Sequence, residues 1–186
     1  QHYYKKPEKH APNEKTQSKK PVQEKFTDPQ ITEEEKFIRA GENARLEFKS
    51  SLRWNIIAQR IDKAIEHSLL KTIVAFLNSE GGTLLIGVED SGNILGIEID
   101  QFPNEDKYLL HFGHLLTEKI GNQNIDQIQS DLKEVSGKKI LRVDCMPSST
   151  PVFLKGDGEE FYIRNGPSSV PLSTSEVLEY SKKHFR

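Results

Sequence analysis

The 186-residue sequence holds one cysteine, Cys145. A lone thiol excludes an internal disulfide and any metal site built from several cysteines, and it fits a reducing, cytoplasmic location. Long hydrophobic runs are also missing. No stretch approaches the roughly 18–20 apolar residues that a membrane-spanning helix needs, and no basic-then-apolar leader with a small-residue cleavage site opens the chain. There is no Gly-Lys-Ser/Thr, and the paired glycines Gly81-Gly82 follow a helical stretch instead of preceding one. No P-loop, and with it no ATP site, is expected. Methionine is nearly absent: Met146 is the only one and the chain begins with Gln1, so a fragment or processed product of a longer protein is expected.

Charge of one sign is lacking as well, with 26 basic against 28 acidic side chains and a formal net charge of −2. Taken whole, that balance argues against a strongly cationic nucleic-acid protein. It is an average over two unlike parts. Residues 1–25 carry seven Lys and three Glu, a surplus of +4, which leaves −6 for residues 26–186. Only six of the apolar residues fall in the first 36 positions. Residues 1–36 therefore read as a basic, Pro/Lys-rich flexible tail or linker, able to make non-specific contacts to phosphate but more simply a solvated tether. Within it, Thr32 and Glu35 form a capping-box pattern that marks a helix start.

Residues 37–186 read as one domain. Arg45–Lys49 alternates with period two and predicts a strand. Ile57, Ile61, Ile65, Leu69, Ile73 and Leu77 recur every four residues and predict the buried stripe of a long helix ending near Asn78. Thr83–Val88 is a nearly all-apolar strand, expected at the centre of a sheet. Asp90-Ser91-Gly92-Asn93 is turn chemistry, with Ile94–Ile97 returning as a hairpin arm. A second helix is expected over 105–120, strands over about 125–134 and 139–145, and a hairpin joining Val152–Leu154 to Glu160–Arg164. Ser173 and Glu176 form a second capping box that opens a final helix. The fold class expected is α+β, a mixed sheet with hairpins and about three helices.

Three groups of residues could carry chemistry. Arg45, Glu47 and Lys49 share one face of the first strand, while Leu46 and Phe48 share the other. A carboxylate and a lysine two residues apart on a strand suit a metal-dependent nuclease, in which the acid holds a divalent cation and the lysine helps neutralise the phosphate. Glu42 and Asp90 are candidate further oxygen ligands; the plain alternative is a solvated strand face and a turn aspartate. Asn78–Thr83 could present amides to a phosphate, but a glycine helix C-cap explains it more simply. Arg164 and Asn165, before Gly166-Pro167-Ser168-Ser169, offer donors for phosphate, or form no more than a turn. His111 and His114 share a helical face without a third ligand to support a metal. Trp54 could stack on a base, with a core or interface role the alternative.

Two stretches, Glu42-Asn-Ala-Arg-Leu-Glu47-Phe48-Lys49-Ser-Ser and Lys71-Thr-Ile-Val-Ala-Phe76-Leu77-Asn78-Ser79-Glu80-Gly81-Gly82-Thr83 running on through Gly87-Val88-Glu89-Asp90, together with Phe161–Gly166, resemble the Schlafen AlbA-type domain over about residues 38–182. The resemblance implies the AlbA-like fold and nucleic-acid binding. From some animal Schlafen proteins it further implies metal-dependent endoribonuclease activity on structured RNA such as tRNA. Those nucleases use two glutamates five residues apart and a later aspartate. Glu42, Glu47 and Asp90 match that pattern here, with Lys49 beside them, so these four are the expected catalytic residues. The three acids are the expected ligands of Mg²⁺ or Mn²⁺. The animal core has two related lobes and this chain supplies one, so a homodimer is expected. Because the structured part is acidic, RNA must meet a local basic patch, for which Arg45, Lys49, Arg53, Arg60 and Arg164 are the candidates. The alternatives are a non-catalytic DNA- or RNA-binding module of a larger regulator or defence protein, and a homo-oligomeric assembly domain.

Overall fold

A computed structural model describes residues 31–185; of the flexible tail expected over residues 1–36, residues 1–30 lie outside the described residues, while residues 33–36 form the first turn of a helix capped by Thr32. The elements are α1 (Glu33–Ala40), β1 (Leu46–Lys49), β2 (Trp54–Asn55), β3 (Arg60–Ile61), α2 (Lys63–Leu77), β4 (Gly82–Ile86), α3 (Glu105–Lys119), β5 (Ile128–Val135), β6 (Lys138–Cys145), β7 (Leu154–Lys155), β8 (Glu159–Glu160), β9 (Tyr162–Asn165), β10 (Ser168–Pro171) and α4 (Thr174–His184). Short 3₁₀ turns at Ile97–Asp100 and Asn122–Gln127 precede α3 and β5.

One mixed sheet in the order β1-β4-β6-β5 forms the centre. β1 lies parallel to β4, with Glu47 opposite Leu84, while β4–β6 and β6–β5 are antiparallel. The parallel pair is joined through α2, the helical crossover that parallel strands require. Apolar side chains occupy both faces of β4, as its unbroken apolar sequence predicts. Leu84 and Ile86 belong to the larger core with Leu69, Ile73 and Phe76 of α2 and Phe112 of α3. On the other face, Leu85 joins Leu46, Phe48 and Ile140 against Phe37 and Ile38 of α1. Because Glu47 and Lys49 alternate with Leu46 and Phe48, they project to the α2 side at the sheet edge.

Both predicted capping boxes form, Thr32 with Glu35 and Ser173 with Glu176. α1 is tied to the sheet through Arg142 of β6, which pairs with Glu33, Glu34 and Asp144 at 2.5, 3.0 and 2.8 Å. Burial pulls the Arg142 guanidinium down, but these three carboxylates outweigh it and hold it above its ordinary value.

Three expectations are corrected. The long helix begins at Lys63: Asp62 caps it by accepting from the Ala64 N–H, so Ile57 and Ile61 fall instead in the β2–β3 hairpin and are exposed. Ile65, Leu69, Ile73 and Leu77 keep their predicted stripe. Ile94–Ile97 is not a full hairpin arm, since the return is a single bridge between Val88 and Ile94. There Gly87 and Gly96, both at positive φ, pass so closely that a Cβ on Gly87 would lie 2.9 Å from the Gly96 carbonyl carbon, and the chain turns into the 3₁₀ segment. Finally, residues 160–164 divide between two hairpins. Leu154–Lys155 pairs with Glu159–Glu160, while Tyr162–Asn165 pairs with Ser168–Pro171, a strand the sequence reading did not anticipate.

Candidate nucleic-acid interface

The edge strand β1 carries the candidate acids. Glu47 is held on both oxygens. Oε1 lies 2.5 Å from Lys49 Nζ and Oε2 lies 3.1 Å from Arg164 Nη1. Glu42 sits just before the strand and its Oε1 accepts the Phe48 N–H at 2.8 Å. Asp90 is exposed at the turn after β4 and borders the same cavity as Lys49. β1 and the β4 turn thus bring Lys49 and Asp90 to one opening. Among the described residues, no three His, Cys, Asp or Glu side chains gather closely enough to hold a metal ion. As placed, one Glu42 oxygen is taken by a backbone amide and both Glu47 oxygens by cations, so a divalent cation at these acids would have to displace the Lys49 and Arg164 pairs.

Arg164 stands differently from its expected role as an open phosphate contact. Its side chain is 4% exposed. Nε donates to the Ala44 carbonyl, Nη2 to the Asn43 carbonyl, and Nη1 to Glu47 and to Ser169 Oγ, while the guanidinium lies 4.8 Å from the Phe76 ring centroid. These donors are spent inside the protein. Arg164 is a positioning residue that fixes Glu47 and the Asn43–Ala44 turn beside it.

The Asn-Ser-x-Gly-Gly segment acts on Arg164 in turn. Asn78 is the α2 C-cap residue, and Gly81 at positive φ returns its N–H to the Phe76 carbonyl, which is the helix-ending role and not a phosphate cradle. The Asn78 side chain donates to the Val152 and Tyr162 carbonyls and accepts the Val152 N–H. Ser79 Oγ accepts the Arg164 N–H at 2.9 Å. β9 is thereby set against the end of α2, and Arg164 against β1.

The other predicted cations are scattered. Arg45 is largely exposed and 3.4 Å from Glu80. Arg60 is exposed on β3, and Asn165 is exposed at the β9–β10 turn. Arg53 turns inward, donating to the Asp100 and Gln101 carbonyls with its guanidinium 3.5 Å from the Phe102 ring centroid. The structure brings together Lys49, Asp90 and Trp54, but not Arg45, Arg60 and Asn165 with them. His111 of α3 pairs with Glu66 of α2 at 2.6 Å, and His114 is exposed.

Asp100 is a residue that sequence reasoning missed. Fully buried, it accepts the N–H groups of Leu52, Arg53 and Trp54 at 2.8, 2.7 and 3.0 Å. Burial pushes its carboxyl above the ordinary 3.8, and the three amide donors pull it part of the way back. Its only sequence signal was an aspartate closing the Ile97–Asp100 stretch, too common a feature to single out.

Asp100→Asn keeps one acceptor oxygen and turns the other into an amide that donates toward backbone N–H groups, so urea unfolding is expected to show a loss of about 1–3 kcal/mol. Because the folded pKa is raised, the stability Asp100 contributes is fully present below 3.8 and falls as pH rises through the folded value. The wild-type advantage over Asp100→Asn should therefore shrink from pH about 4 toward neutrality; a growing advantage contradicts this account of Asp100.

Among the solved structures that resemble the chain are two from bacteria. One is the DIP2311 protein from Corynebacterium diphtheriae, 20% identical, with a TM-score of 0.56, covering 82% of this chain. The chain spans 31% of that protein's length, and at this identity the likeness shows the fold alone. The other is the N-terminal domain of a RecG-related protein from Nitrosomonas europaea, 22% identical over 75% of this chain and 88% of that domain, with a TM-score of 0.46. The profile of the Schlafen, AlbA_2 family matches residues 42–173. That span runs from Glu42 through the β1–α2–β4 crossover and the Arg164 clamp to Ser173, the cap of α4, and the chain belongs to the Schlafen AlbA_2 family.

Proposed function

We propose that this domain binds nucleic acid, with single-stranded or structured RNA the preferred class, on the face where Lys49 opens beside Trp54 and Asp90. The observation that carries the reading is the position of Lys49. It is held by Glu47 at the edge of the sheet, 22% exposed, at the mouth of a cavity with an aromatic wall. Family membership supports the same class of partner. A domain of net −6 over residues 26–186 requires a local contact of this kind. Two copies of the chain would double the contact, as the single lobe invites.

Labelled tRNA, single-stranded RNA and duplex DNA, followed by anisotropy from about 50 to about 200 mM salt, test this reading. Affinity for RNA is expected to fall steeply with salt, with a slope of about −0.7 per phosphate neutralised on single strands. Lys49→Ala should lower that slope by about one contact. Salt-independent binding, or none at low salt, overturns the reading.

RNA cleavage is the further reading, favoured by the position of Asp90 at the same opening as Lys49. It requires Glu47 to leave its ion pairs, because both its oxygens are engaged. Incubating tRNA with the protein and Mn²⁺, beside Glu47→Gln and Asp90→Asn, separates the two readings. Cleavage by the unaltered protein that both variants lose supports an endoribonuclease; intact RNA bound by all three proteins supports a binding module.

A further inference from the structure

The β2–β3 hairpin leaves apolar surface uncovered. Ile57 is 97% exposed and Ile61 53%, although large aliphatic side chains ordinarily seek burial. Beside Ile57 lies an open cavity of about 370 Å³, within the range of small-molecule and cofactor sites. Its walls are Trp54, Ile56, Ile57 and Ile65, with Ser68 as a polar edge and Lys49, Glu89 and Asp90 at one side.

The backbone that presents Trp54 is fixed from three directions. Its N–H is bonded to buried Asp100, its carbonyl accepts Ser51 Oγ at 2.6 Å, and it pairs with Ile61 in the hairpin. A ligand meeting this indole therefore encounters a preorganised surface, which lowers the ordering cost of binding.

We propose that this cavity is a nucleobase pocket, taking one unstacked base of a single strand against Trp54 while Lys49 contacts an adjoining phosphate. The inference rests on the nucleic-acid reading above and adds where a base sits and what holds it. An aromatic face tolerates any base, because every base offers a π-face, and a cation beside it suits the phosphate that each base brings along. A duplex keeps its bases stacked and does not enter.

Trp54 is the only tryptophan in the chain, so its fluorescence reports on this pocket alone. The full chain is titrated with a short oligoadenylate RNA, the same DNA sequence, and a duplex, each followed by tryptophan emission and by anisotropy of a labelled strand. Emission should be quenched by the single strands at the concentrations at which anisotropy rises. The duplex should leave it unchanged. Trp54→Ala should weaken single-strand binding about tenfold or more, and Trp54→Phe, which keeps a stacking ring, should recover most of that loss. Single-strand binding with unquenched emission, and with Trp54→Ala binding as the unaltered chain does, overturns the pocket and leaves nucleic-acid binding standing. Absence of binding by anisotropy to any of the three probes at low salt overturns the reading on which the pocket rests, and the pocket with it.

Discussion

Arg164→Met is expected to destabilise the domain by about 3–5 kcal/mol, the usual cost of breaking a buried ion pair by removing one partner. Methionine fills part of the space against Phe76 but donates nothing. The Ala44 carbonyl, Ser169 Oγ and one Glu47 oxygen then lose this donor together, and the Asn43 carbonyl is left with only the Leu46 N–H. Glu47 keeps only Lys49, itself partly exposed. Arg164→Lys should recover little, because an ammonium cannot reproduce a planar fork that reaches two carbonyls and a carboxylate at once. Urea unfolding followed by circular dichroism measures both variants. A loss below about 1 kcal/mol, the value of a surface pair, would show that the clamp is not the element that fixes β1. Freed from Arg164, Lys49 and Glu47 should also lose their fixed position, so nucleic-acid affinity is expected to fall even at temperatures where the variant remains folded.

Asn78→Ala should rank beside it. The Asn78 side chain is fully buried and makes three hydrogen bonds, two donated to the Val152 and Tyr162 carbonyls and one accepted from the Val152 N–H. Each buried backbone group left without a partner costs about 1–3 kcal/mol, and alanine strands three of them, for an expected loss of at least about 3 kcal/mol. The backbone carbonyl of Asn78 also accepts the Tyr180 hydroxyl at 2.6 Å, so disturbance at this point reaches α4. Asn78→Asp should be no better: an ionised carboxylate accepts but cannot donate, and it would face the Val152 and Tyr162 carbonyls. A midpoint shift for Asn78→Ala no larger than that of an exposed substitution would contradict the placement of this side chain between α2 and β9.

The sequence made local features legible and long-range ones obscure. Both capping boxes, the α2 stripe from Ile65 onward, the central place of β4 and the β5–β6 hairpin each depend on residues close together in the chain. Their periodicity or turn chemistry is written in a short window. Ile57 and Ile61 misled because the four-residue spacing continues past the Asp62 cap, and spacing alone does not reveal where a helix begins. β10 went unseen because Ser168–Pro171 has little strand propensity and is held by pairing with β9. Arg164 could be recognised as a donor, but not as one already spent, since its acceptors Asn43, Ala44 and Glu47 lie well over a hundred residues away. Asp100 and the amides it holds are separated by 46 to 48 residues, and no local pattern connects them. Lys49, Asp90 and Trp54 were each singled out on separate grounds, yet their meeting at one opening follows from the sheet and hairpin.

The central claim, that nucleic acid seats where β1 meets the β2–β3 hairpin, is tested most directly by amide chemical-shift mapping of the isotope-labelled chain with a short single-stranded RNA. The account predicts that shifts concentrate around Lys49 to Ile57 and Glu89 to Asp90, and that they weaken as salt is raised. Shifts confined to the β5–β6 side, around Lys133 and Lys138, or none at any salt concentration, would contradict it.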